Sequence, residues 1–195
     1  LVVATGNSGK LREFRALLVG LPFDVVGQAE LGVAAPAETG TRFVDNALLK
    51  ARHAAAFTGL DALADDSGLE VDALGGAPGV FSARYAGEGA DDAANNAKLL
   101  AALADVPAPL RSARYRCVLV LLGPEPGAVP LIAEGVWEGS ILLSPRGSGG
   151  FGYDPYFWVP EQGASAAELD PQLKNRLSHR GRAFAALRAR WAGRP

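Results

Sequence analysis

Leu1-Val2-Val3-Ala4-Thr5-Gly6-Asn7-Ser8-Gly9-Lys10 opens the chain with an apolar run that breaks into a glycine-containing loop. Leu11, Phe14, Leu17 and Leu18 then recur at helical spacing. Strand, loop and helix in that order begin an α/β unit. Such a turn offers backbone N–H groups at the positive end of a helix, a setting that favours an anion. Lys10 adds a mobile charge and Asn7 a donor. Two readings stand side by side: a phosphate cradle, or a structural turn with an exposed lysine. The loop is not a Walker A motif, because Ala4 and Leu11 stand where that motif needs Gly and Ser or Thr.

Further along, Gly20 and Pro22 stop the first helix, and residues 23–26 suit a second strand. Thr41 is placed to cap a helix over residues 42–57, in which Asn46, Lys50 and His53 form a polar stripe at i, i+4, i+7. Asp91 or Asp92 can cap a helix carrying Leu99, Leu100 and Leu103. Residues 114–122 and 129–137 read as strands joined across a Gly/Pro loop, and residues 156–159 as a short strand. Ser165 and Glu168 fit a capping box for a helical turn. Asp170-Pro171 can start a helix, and Ser178 can cap a last one bearing Phe184, Leu187 and Trp191. The pattern predicts one α/β domain over residues 1–195, two-lobed, with a central mixed sheet flanked by helices.

Composition narrows the function. The chain has 195 residues, 49% hydrophobic and 21% charged, which suits a globular protein with a full core. A net charge of −2 without a long basic block argues against a duplex-DNA binder. Cys117 is the only cysteine, which excludes a Cys-rich metal site, and with His53 and His179 as the only histidines a multi-His zinc site is not expected. No apolar run reaches membrane-spanning length. No charged leader with a cleavage site is seen, and cytoplasm is the expected compartment.

Three stretches carry chemistry. Ala64-Asp65-Asp66-Ser67-Gly68 reads as a turn between two strand ends, with its neighbouring carboxylates pointing to opposite sides. Glu38, Asp65 and Asp66 are the acids best suited to Mg²⁺, which takes one or two carboxylates plus waters and substrate phosphates. Gly147, Gly149 and Gly152 match G-x-G-x-x-G, but Pro155 follows at once and no helix can open there, so a dinucleotide fingerprint is rejected. The loop instead presents Phe151, Tyr153 and Asp154, an aromatic-and-carboxylate set able to stack on a base and accept hydrogen bonds from it, or a turn flanked by core aromatics. Finally Lys174, His179 and Arg180 gather donors at the start of the last helix.

Taken together, residues 5–10, 38–40, 43–51, 64–68, 75–79, 82–85, 150–155 and 178–180 resemble the inosine/xanthosine triphosphate pyrophosphatase family nearly end to end. The resemblance implies Mg²⁺-dependent hydrolysis of ITP, dITP and XTP to the monophosphate and pyrophosphate by a cytoplasmic homodimer, with neither nucleic acid nor membrane as partner. Thr5, Gly6, Asn7, Ser8, Gly9 and Lys10 match the family's triphosphate loop. Asp66 matches the proton acceptor and metal ligand, Glu38 a second acid near the metal, and Ser67 a substrate contact. Phe151, Gly152, Tyr153 and Asp154 match the base-side loop, and Lys174, His179 and Arg180 the remaining nucleotide contacts.

Overall fold

A computed structural model describes residues 1–192. The opening run becomes β1 (Val2–Ala4), buried throughout. Helix α1 (Ser8–Leu17) follows at once, capped by Asn7, whose side chain accepts from the Lys10 amide. Phe14 is its fully buried anchor. The second strand is shorter than its apolar residues suggest: β2 is only Val26–Gly27, parallel to β1. Helix α2 (Phe43–Thr58) ends at Gly59, which takes a left-handed conformation. Its N-cap is Arg42 and not Thr41, and no side chain caps it. Arg42 instead pairs with Asp45 in the first turn, at 2.8 and 2.9 Å.

The largest departure from the sequence reading is at residues 64–68. There is no turn: β3 runs unbroken from Ala62–Val71, parallel to β1 with Ala4 beside Ala64. Glycine here serves a close approach and not a bend. A Cβ on Gly68 would lie 2.2 Å from the Gly79 carbonyl oxygen and 2.6 Å from Ser82 Oγ, as expected where another backbone crosses a strand. The prediction that Asp65 and Asp66 face opposite ways holds, since they have different partners on different elements.

Helix α3 (Asp92–Ala102) is capped by Asp91. The strands β4 (Ser112–Leu122), β5 (Leu131–Ile141), β6 (Phe157–Val159) and β7 (Ala164–Ser165) complete a seven-stranded sheet in the order β2-β1-β3-β4-β5-β6-β7. β6 is antiparallel to β5 and β7, so the sheet is mixed. Ser165 lies in β7 and starts no helix. Its Oγ donates to the Arg146 carbonyl, while Glu168 accepts from the Ser165 amide, so only half of the capping box forms. Asp170 caps α4 (Pro171–Leu177), accepting from the Gln172 and Leu173 amides, and α5 (His179–Ala192) closes the described chain.

Two compact units share these elements, with β3, β4 and β5 each contributing residues to both. The first comprises residues 1–66, 117–135 and those from 180 on. Its core contains Val3, Phe14, Leu63, Leu119, Phe184 and Leu187. The second comprises residues 67–116 and 136–179, built around Leu69, Leu99, Leu103, Tyr115, Trp137 and Phe157. Among the described residues no helix is long and apolar enough to cross a membrane.

Candidate active site

In the first unit the start of α1 sits beside β3. Gly6, Asn7 and Ser8 are exposed, Thr5 and Gly9 are buried, and Lys10 is partly buried. The Thr5 hydroxyl accepts from the Asn7 amide at 3.2 Å. Asn7 Oδ1 satisfies the Lys10 amide at 3.0 Å, leaving the other amides of the first turn for an anion.

Lys10 Nζ reaches across to Asp65 Oδ1 at 2.5 Å. The other Asp65 oxygen accepts from Arg180 Nε and Nη2 at 3.2 and 3.1 Å and from the Cys117 thiol at 3.3 Å. Arg180 also bonds Glu13. Burial alone would raise the Asp65 pKa, but Lys10, Arg180 and Lys50 outweigh it and hold the carboxyl well below the usual range. Asp65 is therefore a fixed anion that organises two cations.

Asp66 has a different environment. Its Oδ1 accepts from Lys50 Nζ at 2.8 Å and its Oδ2 from Asn46 Nδ2 at 3.1 Å. Lys50 donates as well to Glu38 Oε1 at 3.0 Å. Asn46 and Lys50 are one helical turn apart on α2, so a single face of that helix grips the carboxylate. Asn46 Oδ1 in turn accepts from the Gly40 amide at 2.8 Å and ties in the loop that carries Glu38. Burial pushes the Asp66 pKa up, more than Lys50 and Lys10 pull it down. Burial would lower the Lys50 pKa, but Asp66, Asp65 and Glu38 overcome it and keep Lys50 protonated. One strand thus presents two adjacent carboxylates in contrasting settings: neighbouring cations hold the pKa of Asp65 down, and burial pushes that of Asp66 up.

The base-side candidates lie in the second unit. Asp154 is buried, and its carboxylate accepts from Lys174 Nζ at 2.6 Å, the Phe151 amide at 2.9 Å and the Tyr115 hydroxyl at 3.3 Å. Lys174 Nζ also lies 4.8 Å from the centre of the half-buried Phe151 ring. His179 stacks on Tyr115, with ring centres 4.7 Å apart and planes 12° apart. Tyr153 is a core residue: it is 4% exposed, and its hydroxyl donates to the Ser82 carbonyl at 2.8 Å. With Tyr153 in the core cluster of the second unit, Phe151 is left as the aromatic for stacking. Ser67 is half-buried on β3 directly after Asp66.

Lys10, Glu38, Asp66 and Arg180 are thus brought into one charged cluster, and Phe151, Asp154, Lys174 and His179 into another group. Sequence reasoning missed Asn46 as a partner of Asp66, although the i, i+4 stripe with Lys50 marked it. It also missed Glu13 and Tyr115, for which no local signal exists. Among the described residues no group of three or more His, Cys, Asp or Glu side chains is placed to hold a metal ion. Asp66 and Glu38 converge on the same ammonium, and two carboxylates are the protein's usual share of a Mg²⁺ shell, so the oxygen donors fit that ion.

The sequence profile of the Ham1 family matches residues 1–190. The chain belongs to the Ham1 family. Curated relatives of the chain carry the name dITP/XTP pyrophosphatase. That of Xanthomonas campestris is 62% identical over 187 residues, covering 96% of this chain and 94% of the relative. That of Vibrio cholerae is 58% identical with the same coverage. A Ham1 structure from Coxiella burnetii superposes with a TM-score of 0.89 at 51% identity, covering 99% of this chain and 98% of that one. The Ham1 protein of Staphylococcus aureus gives 0.85 at 38% identity, covering 98% and 97%.

Proposed function

We propose that the chain hydrolyses the non-canonical purine nucleoside triphosphates ITP, dITP and XTP to the monophosphate and pyrophosphate, with Mg²⁺. The observation that carries this reading is the Asp65-Asp66 pair, in which one carboxylate ties Lys10 to Arg180 and its neighbour is held by Asn46 and Lys50 beside Glu38. Lys10, Lys50 and the first-turn amides of α1 neutralise the triphosphate. Asp66 and Glu38 would hold the metal, which would supply further positive charge and acidify a nearby water. Asp66 orients the attacking water and accepts its proton as the bond to the α-phosphorus forms and the α–β anhydride breaks.

Selectivity follows from hydrogen-bond polarity. Hypoxanthine and xanthine present a 6-oxo acceptor where adenine presents an amino donor. The Arg180 guanidinium is committed to Asp65 and Glu13, so its part is to hold the phosphate-side cluster. The loop amides of Phe151 and Gly152 are committed to Asp154 and Asp92, so reading the base falls to His179 and Lys174, with Phe151 stacked on the ring and Asp154 holding the loop. A donor left unpaired against adenine costs about 1–3 kcal/mol, roughly tenfold per site.

The resemblance further implies a homodimer working in the cytoplasm on a free nucleotide, with sedimentation velocity as the check on its assembly. The activity is tested by incubating the protein with Mg²⁺ and a panel of triphosphates while pyrophosphate and orthophosphate are followed separately. Pyrophosphate released from ITP and XTP far faster than from ATP and GTP is expected. Orthophosphate as the first product, or no preference for 6-oxo bases, refutes the reading. Asp66→Asn is expected to slow turnover by about 10²–10⁴-fold, the usual contribution of a general base, while nucleotide binding persists.

A further inference from the structure

Helix α3 contributes none of the residues assigned to the nucleotide, yet it grips the base-side loop. The Gly152 amide donates to Asp92 Oδ2 at 2.6 Å, and the Gly152 carbonyl accepts from Asn96 Nδ2 at 2.9 Å. Asp92 and Asn96 are spaced i, i+4, so they leave the helix on one face. Asn96 Nδ2 also donates to the Asp92 carbonyl at 2.8 Å, which fixes the orientation of its amide. Helix α3 is itself anchored in the core through Leu99, which is fully buried.

The bonded residue is the one whose pinning matters most. Gly152 has φ +62°, a left-handed conformation that other residues resist. Its amide nitrogen belongs to the peptide that follows Phe151. On the other side, the Phe151 amide donates to Asp154 Oδ2. Both peptide planes flanking the Phe151 Cα are therefore fixed, and with them the direction in which its Cα–Cβ bond leaves the loop. Without these bonds, a stretch with glycines at 147, 149, 150 and 152 would sample many backbone states.

We propose that Asp92 and Asn96 are positioning residues for base recognition, clamping Gly152 so that Phe151 is set for stacking before the nucleotide arrives. This rests on the pyrophosphatase reading above. Pre-ordering removes the entropic cost of loop fixation from the binding step, so the clamp acts on substrate affinity and selectivity and leaves the phosphate chemistry alone.

The test compares Asp92→Ala and Asn96→Ala with two references. Asp92→Asn keeps an acceptor for the Gly152 amide, and Asp91→Ala removes the α3 cap without touching the loop. In each protein, kcat and KM for ITP, the ITP/ATP preference and the exchange rate of the Gly152 amide are measured. In the two clamp variants KM is expected to rise up to about tenfold per lost bond, with kcat little changed and the ITP/ATP preference reduced. Gly152 exchange is expected to speed up in Asp92→Ala, and Asp92→Asn to restore both readouts. The proposal is overturned if KM and preference stay at wild-type values in the clamp variants, or if Asp91→Ala raises KM as much, which would trace the effect to helix stability. A wild-type protein inactive on every 6-oxo purine triphosphate refutes the functional reading itself. In that event Gly152 exchange unchanged by Asp92→Ala independently removes the clamp.

Discussion

Replacing Asp65 by Asn removes one negative charge from the first unit at almost constant volume. In the native protein that carboxylate accepts from Lys10 at 2.5 Å, from Arg180 at 3.1 and 3.2 Å and from the Cys117 thiol. The side chains of Asp65 and Arg180 are 0% and 2% exposed, whereas that of Lys10 is 16% exposed. Arg180 cannot turn to water and must rely on Glu13; Lys10 can partly rehydrate. Breaking a buried ion pair by deleting one partner costs about 3–5 kcal/mol, and the opening at Lys10 places Asp65→Asn in the lower half of that range. Urea denaturation at neutral pH measures the loss from the shift in midpoint at constant m-value. The pH dependence supplies a second check. Although burial opposes it, the surrounding cations depress the folded-state pKa of Asp65. Its contribution is therefore complete above the unfolded value of about 3.9 and is lost as the pH falls from there toward the folded value. The gap between wild type and variant should stay level from neutral pH down to about 5 and narrow below about 4. A loss under about 1 kcal/mol, the scale of an exposed pair, or a gap that widens on acidification, would refute the reasoning.

Other substitutions probe the remaining contacts. Gly68→Ala forces a Cβ to within 2.2 Å of the Gly79 carbonyl oxygen, and a loss of at least about 1–3 kcal/mol is expected in a thermal melt; an unchanged Tm contradicts the close crossing. The Cys117 thiol is buried and pushed well above its ordinary pKa by burial and by Asp65, so a disulfide-exchange reagent should label it in denaturant and not in the native protein. Lys174→Met leaves the buried Asp154 carboxylate without its ammonium; about 3–5 kcal/mol of destabilisation is expected, against about 0.5–1.5 kcal/mol for Tyr115→Phe, and equal effects would show that the ion pair is not the stronger holder of Asp154.

Much of this architecture is legible locally. The apolar run into residues 5–10 predicts β1 and α1, and the Asn46/Lys50 spacing predicts a polar face on α2 that turns out to grip Asp66. Reading Ser67-Gly68 as a turn fails because glycine has two uses, bending a chain and letting another backbone pass, and only the crossing segment at Gly79 distinguishes them. Tyr153 has the composition of a binding loop but is held in the core by the Ser82 carbonyl, 71 residues away in sequence. The bonds from Arg180 to Asp65 span 115 residues, and nothing in either neighbourhood announces them. Side chains whose role is set by neighbours in the chain can be read from sequence; those whose role is set by a contact across the fold cannot.

The uninterrupted course of β3 has a consequence for how this protein can vary. Because Asp65 and Asp66 are consecutive on one extended segment, which face each occupies depends only on counting residues from the pairing of Ala4 with Ala64. Inserting a single residue between Ala64 and Asp65 would turn both acids to the other face, giving the Lys50 side the carboxylate that pairs with Arg180 and taking Asp66 away from Lys50. A point change there touches one contact, whereas a change of length displaces both carboxylates at once, so in this strand the reading frame of the backbone is itself a functional property.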